Sequence, residues 1–569
     1  MREIAGIAAS PGILVANAFR YFESSIPTEK AIIRNVDEEI NRLKAAIERT
    51  KDKLLAFKEK VAHQLGEDEG KIYSAQILVL EDPVLSSAIY TQIEEGVNAE
   101  YAVQEVTAIY TNMFEILGND YMKERATGVR DVMGRLVAEL MNKEEGRFAT
   151  LQNEVILIVE DLTPSITIQL DQRWIKGIIT DNGSATSHAA ILARAMGIPA
   201  VVGTQVASKE IEDGALIILD GTSGKILLNA TKEEQQLYQQ KIQLSQLKEQ
   251  EYQINMNIPA QTKDGHLLKI LGNIDSLTDA ERVLANGGQG IGLLRTEFLY
   301  MNRDDAPSEE EQFNLYKSIL EKFNGNPVII RSLDIGGDKE VDYLNLEKEM
   351  NPFLGNRAIR LSLNQLDIFR IQLRALLRAS NFGNLKIMFP MICTLEELQE
   401  VKAVLLEEKE CLLKQGQAIG GMEVGMMIET PAAALHAAAF AKEVDFFSIE
   451  TNNLIQYTFA ADRMNERVSY LYQPYHPVIL KQIQTIVNAA HQHDKWVGIC
   501  GEMASNPITI PLLLGLGVDE LSMHASFIPK AKYQIHGLSY EELKAHIHHI
   551  LTLTTSNEVK VYLSSHNLC

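Results

Sequence analysis

Apolar residues between positions 33 and 143 recur every three or four residues. Ile40 and Leu43 begin the pattern, and Val103 and Val106 continue it much further along the chain. Residues at this spacing lie on one face of a helix. Residues 33–143 therefore predict a bundle of helical hairpins.

Short, continuous apolar runs that are typical of buried strands follow this segment. They are Val155–Val159, Gly177–Thr180 and Ala215–Leu219. Helix signals separate these runs, and a pattern of strand, turn and strand occupies residues 1–20. We therefore expect an α/β domain, formed by residues 1–32 and 144–230, into which the helical bundle is inserted.

The rest of the chain alternates strands and helices after a polar connection. Residues 231–255 are mostly polar, contain neither Gly nor Pro and predict an exposed helix, so we assign residues 231–259 to a linker helix. Eight apolar runs in residues 260–569 then predict strands. They are residues 268–274, 290–297, 328–335, 386–392, 423–429, 445–450, 495–500 and 519–523. Eight parallel strands with helical crossovers predict a C-terminal (β/α)8 TIM barrel.

Charged side chains stand at the C-terminal ends of these predicted strands, where a (β/α)8 barrel carries its chemistry. They are Arg295, Glu297, Arg331, Asp334, Glu429 and Glu450, and Cys500 ends the seventh strand. A purely structural barrel needs only caps and turn residues at these positions. The concentration of charge therefore predicts an active site.

Four arginines of the barrel segment are candidate ligand-binding residues. They are Arg295, Arg331, Arg357 and Arg463. A guanidinium group binds phosphate and carboxylate in bidentate fashion and keeps its charge, so several in one pocket imply a multiply anionic small ligand, such as a phosphorylated carboxylic acid. Each arginine taken alone is more typical of a structural salt bridge.

A candidate nucleophile begins a predicted helix. Ser187 is a natural N-cap and His188 follows it, so the free N–H groups of the helix N-terminus would favour a developing dianion. A neutral imidazole is a competent nucleophile when a hydrogen bond fixes its other nitrogen. Taken alone, the segment is more typical of a capping-region histidine that has no chemical role.

Oxygen ligands at two adjacent strand ends are candidates for a metal site. Glu429 and the segment 449–453 carry carboxylates and amides, which suit Mg²⁺ bridging the oxygens of a ligand. Cys500 ends an apolar strand, where a thiol is usually only buried. At this rim it is also a candidate proton donor.

Composition and charge narrow the class of protein. The chain has 569 residues, enough for several domains, and a formal net charge of −22, which disfavours nucleic acid and anionic lipid and favours a partner with a basic face. No apolar run approaches the roughly 18 residues that a membrane span needs. The N-terminus has an acidic residue at position 3 and only a short apolar stretch, so it does not resemble a signal peptide. Four cysteines without a CxxC pair argue against a disulfide framework or structural zinc, so we expect a cytoplasmic protein.

Together these segments resemble phosphoenolpyruvate-protein phosphotransferase, the enzyme I family of the bacterial sugar phosphotransferase system. The motifs that carry the resemblance run nearly end to end: Gly6–Gly12, Asp161–Ser165, the His188 segment Thr186–Arg194, and Leu521–Met523. The resemblance implies a phosphohistidine α/β domain, the inserted bundle and a phosphoenolpyruvate-binding barrel. It also implies transfer of phosphate from phosphoenolpyruvate through the enzyme to a carrier protein.

The resemblance also assigns the candidate residues. His188 would be phosphorylated, and Cys500 would protonate the enolate carbon to give pyruvate. Glu429 would bind Mg²⁺, with Asn453 as its neighbouring ligand. Phosphoenolpyruvate would be held by Arg295, Arg331, Arg357, Asn452 and Arg463.

The resemblance further implies two protein partners. The inserted bundle would bind the phosphocarrier protein HPr, whose basic residues suit an acidic surface. Residues 64–120 hold eleven acidic side chains against one basic side chain, Lys71, although a solvated helical face explains this composition equally well. The second partner is another copy of the chain, because the family typically forms a homodimer through the barrel.

Three positions depart from the family pattern. The usual Gly-Thr-Asn-Asp at the sixth strand is Glu450-Thr451-Asn452-Asn453 here, so an amide replaces the second carboxylate ligand. Asn356 replaces an aromatic or bulky residue, and Gly183-Ser184 replaces paired glycines. We expect metal affinity and turnover to change more than fold or ligand. Glu450 either supplies the missing charge, directly or through a metal-bound water, or points away into a salt bridge.

Two other functions stay open at this point. A pyruvate phosphate dikinase or phosphoenolpyruvate synthase would share the phosphohistidine domain and barrel, but residues 33–143 contain no Gly-rich loop to bind a nucleotide. A non-catalytic regulator that senses phosphoenolpyruvate or sequesters the carrier would explain the altered metal segment.

Overall fold

The computed structural model describes residues 2–568 except 22–27, 66, 117–119, 142–147, 149–150, 164–165, 168–169, 185–186, 302, 338, 340, 345, 464 and 466. The chain divides into two compact units, Met1–Gln246 and Leu247–Cys569. Within the described residues, no helix is both long enough and apolar enough to cross a membrane.

The first unit contains a mixed sheet of eight strands. Its strands are β1 Arg2–Ala5, β2 Ile7–Ser10, β3 Ile13–Arg20, β4 Val155–Val159, β5 Ile175–Thr180, β6 Ala200–Val202, β7 Leu216–Asp220 and β8 Lys225–Leu228. The spatial order is β1-β8-β7-β3-β4-β5-β6-β2. Strands β3 to β6 run parallel, and the outer pairs are antiparallel.

In the described part of the segment between β3 and β4, five α-helices follow one another. They are α1 Val36–Leu65, α2 Glu67–Leu80, α3 Pro83–Glu94, α4 Ala99–Ile116 and α5 Asp120–Leu140. Leu43, Val103 and Val132 are fully buried in the core that these helices share. The helical bundle inserted in an α/β fold is confirmed.

Further helices with described bounds follow β5 along the chain, and the last of them crosses the boundary between the two units. They are α6 His188–Met196, α7 Ala207–Glu210 and α8 Lys232–Asn255. Helix α8 has no buried residue, because its sequence is polar on every side and offers no apolar stripe for packing.

The second unit is a closed barrel of eight parallel strands. They are β9 Lys269–Ile274, β10 Ile291–Leu294, β11 Pro327–Arg331, β12 Asn384–Phe389, β13 Glu423–Ile428, β14 Phe446–Ile449, β15 Trp496–Ile499 and β16 Glu520–Met523. Each strand pairs with the next, and β16 pairs with β9. The predicted (β/α)8 barrel is therefore confirmed.

Helices alternate with these strands. They are α9 Leu277–Ala285, α10 Glu309–Lys322, α11 Ile359–Asn364, α12 Leu366–Ala379, α13 Leu395–Lys414, α14 Pro431–Leu435, α15 Ala437–Phe440, α16 Thr451–Phe459, α17 Pro477–His491, α18 Thr509–Gly515, α19 Ile528–His536, α20 Tyr540–Ile550 and α21 Ser556–Ser565. Apolar stripes of the longer helices, such as Leu373 and Leu376 of α12, are buried against the strands in one core. The parallel order brings the residues after β9 to β16 to one end of the barrel.

Candidate active site

A chain of buried charges begins at Arg331, the last residue of β11. Its guanidinium group pairs with Glu297 and, at 2.9 Å, with Oδ2 of Asp334. Oδ1 of Asp334 lies 2.9 Å from Nη2 of Arg357. Arg331 and Arg357 are 3% and 4% exposed, so the end of β11 and the segment that follows it hold two fixed positive charges almost out of solvent.

The two guanidinium groups control the ionisation of Asp334. Burial alone would raise the pKa of this carboxyl group, but Arg331 and Arg357 hold the pKa well below its usual range. Lys339 extends the cluster, since its Nζ donates to Oε1 of Glu297 at 3.1 Å and to the carbonyl oxygen of Asp334 at 3.3 Å. Asp334 therefore stays ionised between two cations.

Several buried polar atoms in this region have no hydrogen-bond partner in the described structure. They are Oε2 of Glu297, Nε of Arg331, Oγ of Ser332, Nε of Arg357 and Oγ1 of Thr451. An unsatisfied buried polar atom costs about 1–3 kcal/mol, and native proteins rarely keep several together. The cluster is thus suited to a polar ligand that would complete these bonds.

Two predicted arginines stand nearer to solvent. Nη1 of Arg295, just after β10, lies 3.1 Å from Oδ2 of Asp275, and Nη1 of Arg463 lies 3.2 Å from Oε1 of Glu502. Both arginine side chains are 37% exposed. Exposed pairs of this kind are weak and exchange partners readily, so each arginine can turn to an anionic ligand.

Asn452 occupies the first turn of α16 and is held by two donors. Its Oδ1 accepts from the hydroxyl of Tyr472 at 2.8 Å and from the backbone N–H of Glu502 at 3.2 Å. Because the side-chain oxygen is occupied, the Nδ2 group is the part of the amide left to donate to a ligand.

Glu429 follows β13 and is completely buried. Oε1 accepts from the N–H of Met391 at 2.6 Å, and Oε2 accepts from Nδ2 of Asn453 at 2.6 Å. Burial, reinforced by the nearby charge of Asp334, raises the pKa of Glu429 to about 7. Met391 adopts a φ of 56°, a conformation uncommon for a residue with a side chain, to present that N–H.

Glu429 and Asn453 fit a magnesium ion that is bound mainly through the oxygens of a small anionic molecule. Among the described residues, no three His, Cys, Asp or Glu side chains are arranged to hold a metal. Mg²⁺ is commonly held by one or two carboxylates together with phosphate oxygens and waters. Glu429 supplies one carboxylate, and Asn453 supplies an amide oxygen if its amide group rotates, so the donor set is adequate but lacks a second charge.

Glu450 does not point away into a salt bridge, in contrast to one interpretation of the sequence. Its side chain accepts from the backbone N–H of Asn452 at 3.0 Å and caps α16. It forms no ion pair with any residue that the structure describes, and it is 6% exposed. The carboxylate is therefore retained inside the rim of the barrel.

Cys500 follows β15 and is 1% exposed. Its Sγ lies 3.7 Å from the carbonyl oxygen of Ile449 and 4.0 Å from Oε2 of Glu450. Burial, and after it the Glu450 carboxylate, raises the pKa of this thiol well above its usual value. Cys500 is thus a protonated thiol at neutral pH, as a proton donor must be.

The His188 segment lies in the first unit. Ser187 has the extended backbone of an N-cap and α6 begins at His188, as predicted, but the Ser187 hydroxyl makes no capping bond. Gly183 has a φ of 113°, and a Cβ there would lie 2.9 Å from Oγ of Ser187. Thr186 and the side chain of His188 lie outside the described structure.

Some residues of the site were missed by the sequence reasoning. Tyr457 accepts from Nη1 of Arg357 at 3.4 Å and donates to the carbonyl oxygen of Phe353 at 2.6 Å, and nothing in its helical surroundings signals this. Asp275 pairs with Arg295 and is the first residue after β9. The strand-end argument that found Arg295 could also have found Asp275.

Comparisons with known proteins agree with this architecture. Family models of PEP-utilising enzymes match the chain three times: the N-terminal domain at residues 5–125, the mobile domain at 151–224 and the PEP-binding domain at 249–540. The barrel, its buried arginine cluster and these matches define a PEP-utilising enzyme.

Relatives that match over their full length show which family of PEP-utilising enzymes the chain belongs to. Phosphoenolpyruvate-protein phosphotransferase of Priestia megaterium is 51% identical over 566 residues, and that of Bacillus subtilis (strain 168) is 50% identical over 565 residues; each alignment covers 99% of both chains. The chain belongs to the phosphoenolpyruvate-protein phosphotransferase family. A solution NMR structure of Enzyme I is also similar, at 33% identity, covering 43% of this chain and 99% of its own, but its TM-score of 0.36 is too low to support a conclusion.

Proposed function

We propose that the chain catalyses the phosphorylation of His188 by phosphoenolpyruvate and then transfers the phosphate to the histidine of HPr. Pyruvate is released in the first step, which initiates sugar uptake by the phosphotransferase system. The observation that carries the proposal is the buried Arg331, Asp334 and Arg357 cluster with its unsatisfied polar atoms. It combines fixed positive charge with missing partners, which suits a small polyanion.

Binding of phosphoenolpyruvate is assigned to five side chains of the barrel. They are Arg295, Arg331, Arg357, Asn452 and Arg463. The two buried guanidinium groups are preorganised and therefore bind without a large entropic cost. The two exposed arginines leave weak surface pairs with Asp275 and Glu502 to close on the ligand, and Asn452 donates through Nδ2.

The reaction divides into two bond changes and a proton transfer. The bond between phosphorus and the enol oxygen breaks while a bond from phosphorus to an imidazole nitrogen of His188 forms. The enolate carbon then takes the proton of the Cys500 thiol, giving pyruvate, and the thiolate regains a proton from water. Arginine charges around the phosphate stabilise the negative charge that spreads over its oxygens in the transition state.

Mg²⁺ would be held by Glu429 and Asn453. When bound, it would neutralise phosphate and carboxylate oxygens of the ligand. Because Asn453 is neutral, this chain depends more on the ligand's own oxygens for affinity. Binding of the metal is therefore expected to be strongly coupled to binding of phosphoenolpyruvate.

Each segment of the chain has its own role in this proposal. We assign residues 1–32 and 144–230 to the phosphohistidine domain, 33–143 to HPr binding, 231–259 to the linker and 260–569 to phosphoenolpyruvate. A homodimer formed through the barrel and a cytoplasmic location complete the proposal.

The acidic stretch of the helical insert, residues 64–120, contains both carboxylates that form ion pairs and carboxylates that are exposed. Glu81 pairs with Lys51, and Glu100 pairs with Arg42. Glu94, Glu95 and Glu105 are exposed. These exposed carboxylates are the ones available to a basic carrier.

A non-catalytic regulator is not favoured. The full-length relatives carry the name of an enzyme, and this chain retains the arginines, Glu429 and Cys500. A nucleotide-dependent dikinase is not favoured either, because helices α1 to α5 and the short turns between them make up most of the described residues of the insert, and its sequence has no Gly-rich loop to bind a nucleotide.

Phosphotransfer to the carrier tests the proposal. The chain, phosphorylated with labelled phosphoenolpyruvate and Mg²⁺ and then freed of both, is mixed with HPr. The label should move to HPr within seconds, and HPr whose phosphoacceptor histidine is replaced by alanine should stay unlabelled. Retention of the label on the chain after addition of intact HPr would contradict the proposal.

A further inference from the structure

A carboxylate with no role in the reaction as described above faces the thiol of Cys500. Glu450 follows β14, and Cys500 follows the neighbouring strand β15. The strands are paired in parallel with Ile449 opposite Ile499, so the residues that follow them lie side by side. Oε2 of Glu450 consequently approaches Sγ of Cys500 to 4.0 Å.

The position of this carboxylate is fixed by its surroundings. Oε1 accepts from the N–H of Asn452 at 3.0 Å, which leaves Oε2 directed to the sulfur. A Cβ on Gly501 would lie 2.6 Å from Oε1 of Glu450 and 2.1 Å from Oγ1 of Thr451. Glycine at position 501 therefore provides the space that a glutamate at position 450 needs.

The thiol is held as firmly as the carboxylate. The carbonyl oxygen of Cys500 accepts from Nδ2 of Asn273 at 2.9 Å, and Sγ is 3.7 Å from the carbonyl oxygen of Ile449. The S–H group therefore has two oxygen acceptors that carry partial or full negative charge within reach, the Ile449 carbonyl and the Glu450 carboxylate. Such surroundings favour the thiol over the thiolate.

We infer that Glu450 is a positioning residue for Cys500, whose carboxylate orients the S–H group and keeps the sulfur protonated until its proton passes to the enolate carbon. This inference rests on the proposed function. The S–H bond breaks as the C–H bond of the methyl group forms. Repulsion between thiolate and carboxylate then drives the sulfur to take a proton back from water, which resets the donor.

Other groups act on the same sulfur. Burial raises the pKa of Cys500 and the Glu450 charge adds to it, whereas Arg331, Arg295 and a hydrogen bond with Ser448 lower it. Removing only the charge of Glu450 takes away one of the influences that raise the pKa of Cys500, while the two arginines and Ser448 still lower it. Glu450→Gln should therefore favour the thiolate.

Titration of the thiol tests this without any turnover. The ultraviolet absorbance of the thiolate is followed with rising pH in the full chain, and the same variant carrying Cys500→Ser is subtracted to remove the other cysteines. In Glu450→Gln the thiolate fraction at a fixed alkaline pH should be about tenfold larger or more, a shift of about one pKa unit. Glu450→Asp keeps a carboxylate at this position, so its Cys500 titration should lie close to that of the unmodified chain.

Two further variants control the measurement. Glu502→Gln removes a carboxylate of the same rim that pairs with Arg463, and its Cys500 titration should match the unmodified chain. Glu450→Gly removes the charge with a smaller side chain and serves if Glu450→Gln fails to fold. An unshifted titration in the folded Gln or Gly variant, or an equal shift in Glu502→Gln, would overturn the inference.

A kinetic measurement connects the titration to the reaction. The alkaline limb of the pH profile for pyruvate formation should move to lower pH in Glu450→Gln, while His188 is still phosphorylated near neutral pH. Because the titration needs no substrate, it still reports on Glu450 if His188 of the unmodified chain is never labelled. Absence of label on His188 would reject the proposed function, whereas the thiol titration alone decides whether Glu450 acts on Cys500.

Discussion

Asp334 is the residue on which the arginine cluster depends. Replacing it with asparagine would leave Arg331 and Arg357 buried without their shared counter-ion. Loss of one partner of a buried ion pair costs about 3–5 kcal/mol. Asp334→Asn should therefore lower the unfolding free energy of the barrel by that amount, measured by urea denaturation.

A fluorescence design isolates the barrel. The chain has two tryptophans, Trp174 in the first unit and Trp496 in β15, so a Trp174→Phe background makes Trp496 the reporter of barrel unfolding. Asp275→Asn is the matched control, because its side chain is 57% exposed and should cost under about 1 kcal/mol. Equal losses for both variants would contradict the account of the cluster.

Glu520 makes the barrel sensitive to pH. It is 2% exposed, and its Oε1 would lie 2.9 Å from a Cβ on Gly292 and 3.1 Å from one on Gly498, so two glycines make room for it. Burial raises its pKa from 4.5 to about 8, reinforced by Asp519 and Glu423 and opposed by Lys269 and Lys386.

The sign of the effect follows from proton binding. Between pH 4.5 and 8 the folded state holds a proton on Glu520 that the unfolded state has lost, so stability falls as pH rises through this window. Glu520→Gln stays neutral and should therefore lose less stability than the unmodified barrel, by about 1.4 kcal/mol for each pH unit of the window. Parallel pH profiles of Trp496-reported stability for the two chains would refute the assignment.

Single residues also show where sequence reasoning stops. Arg331 and Glu429 could be predicted as site residues, because strand ends of a parallel barrel converge. Their partners could not, since no periodicity tells that Asp334 turns back to join two arginines or that Met391 presents its N–H to Glu429. The sequence suggested two roles for Glu450, and the structure excludes the outward salt bridge.

At the scale of elements, the strands of the barrel were predictable because apolar runs bounded by turn residues are distinctive. All eight appear, with ends that differ by a few residues. The predicted strand 290–297 ends at Leu294, because Arg295 and Glu297 turn away to form their ion pairs. Charged residues at a strand end thus mark the site more reliably than they mark the strand boundary.

The start of α6 gives a test at the same scale. Gly183 has a φ of 113° and lies against Ser187, so Gly183→Ala adds both backbone strain and a clash just before His188. Phosphorylation of His188 should slow by roughly tenfold or more, since displaced reacting groups lose that much. The rate is measured by rapid quenching after mixing with labelled phosphoenolpyruvate.

Gly214→Ala is the control for backbone strain alone. Gly214 has a φ of 79°, and nothing lies within 4 Å of a Cβ placed there. Its phosphorylation rate should be close to that of the unmodified chain. A comparable loss in both variants would show that general instability, and not the geometry before His188, causes the effect.

For the whole molecule, the account requires movement between two sites. One imidazole must reach phosphoenolpyruvate at the barrel and HPr at the helical insert. Helix α8 has no buried residue, so it can change direction without opening a core, and Asn229 before it has a φ of 52°. Covalent cross-links that lock the two units in one arrangement should block one half-reaction and spare the other.

The two half-reactions are assayed separately in each locked preparation, and reducible cross-links allow activity to be restored as a control. Survival of both half-reactions in a single locked state would show that no movement of the units is needed.

The most direct test of the central claim is to locate the phosphate. The chain is incubated with labelled phosphoenolpyruvate and Mg²⁺, and the bound label is mapped by peptide sequencing. The account predicts acid-labile, base-stable phosphate on His188, pyruvate formed in equal amount, and no label in a folded His188→Ala variant. Label on another residue, or undiminished labelling of His188→Ala, would contradict it.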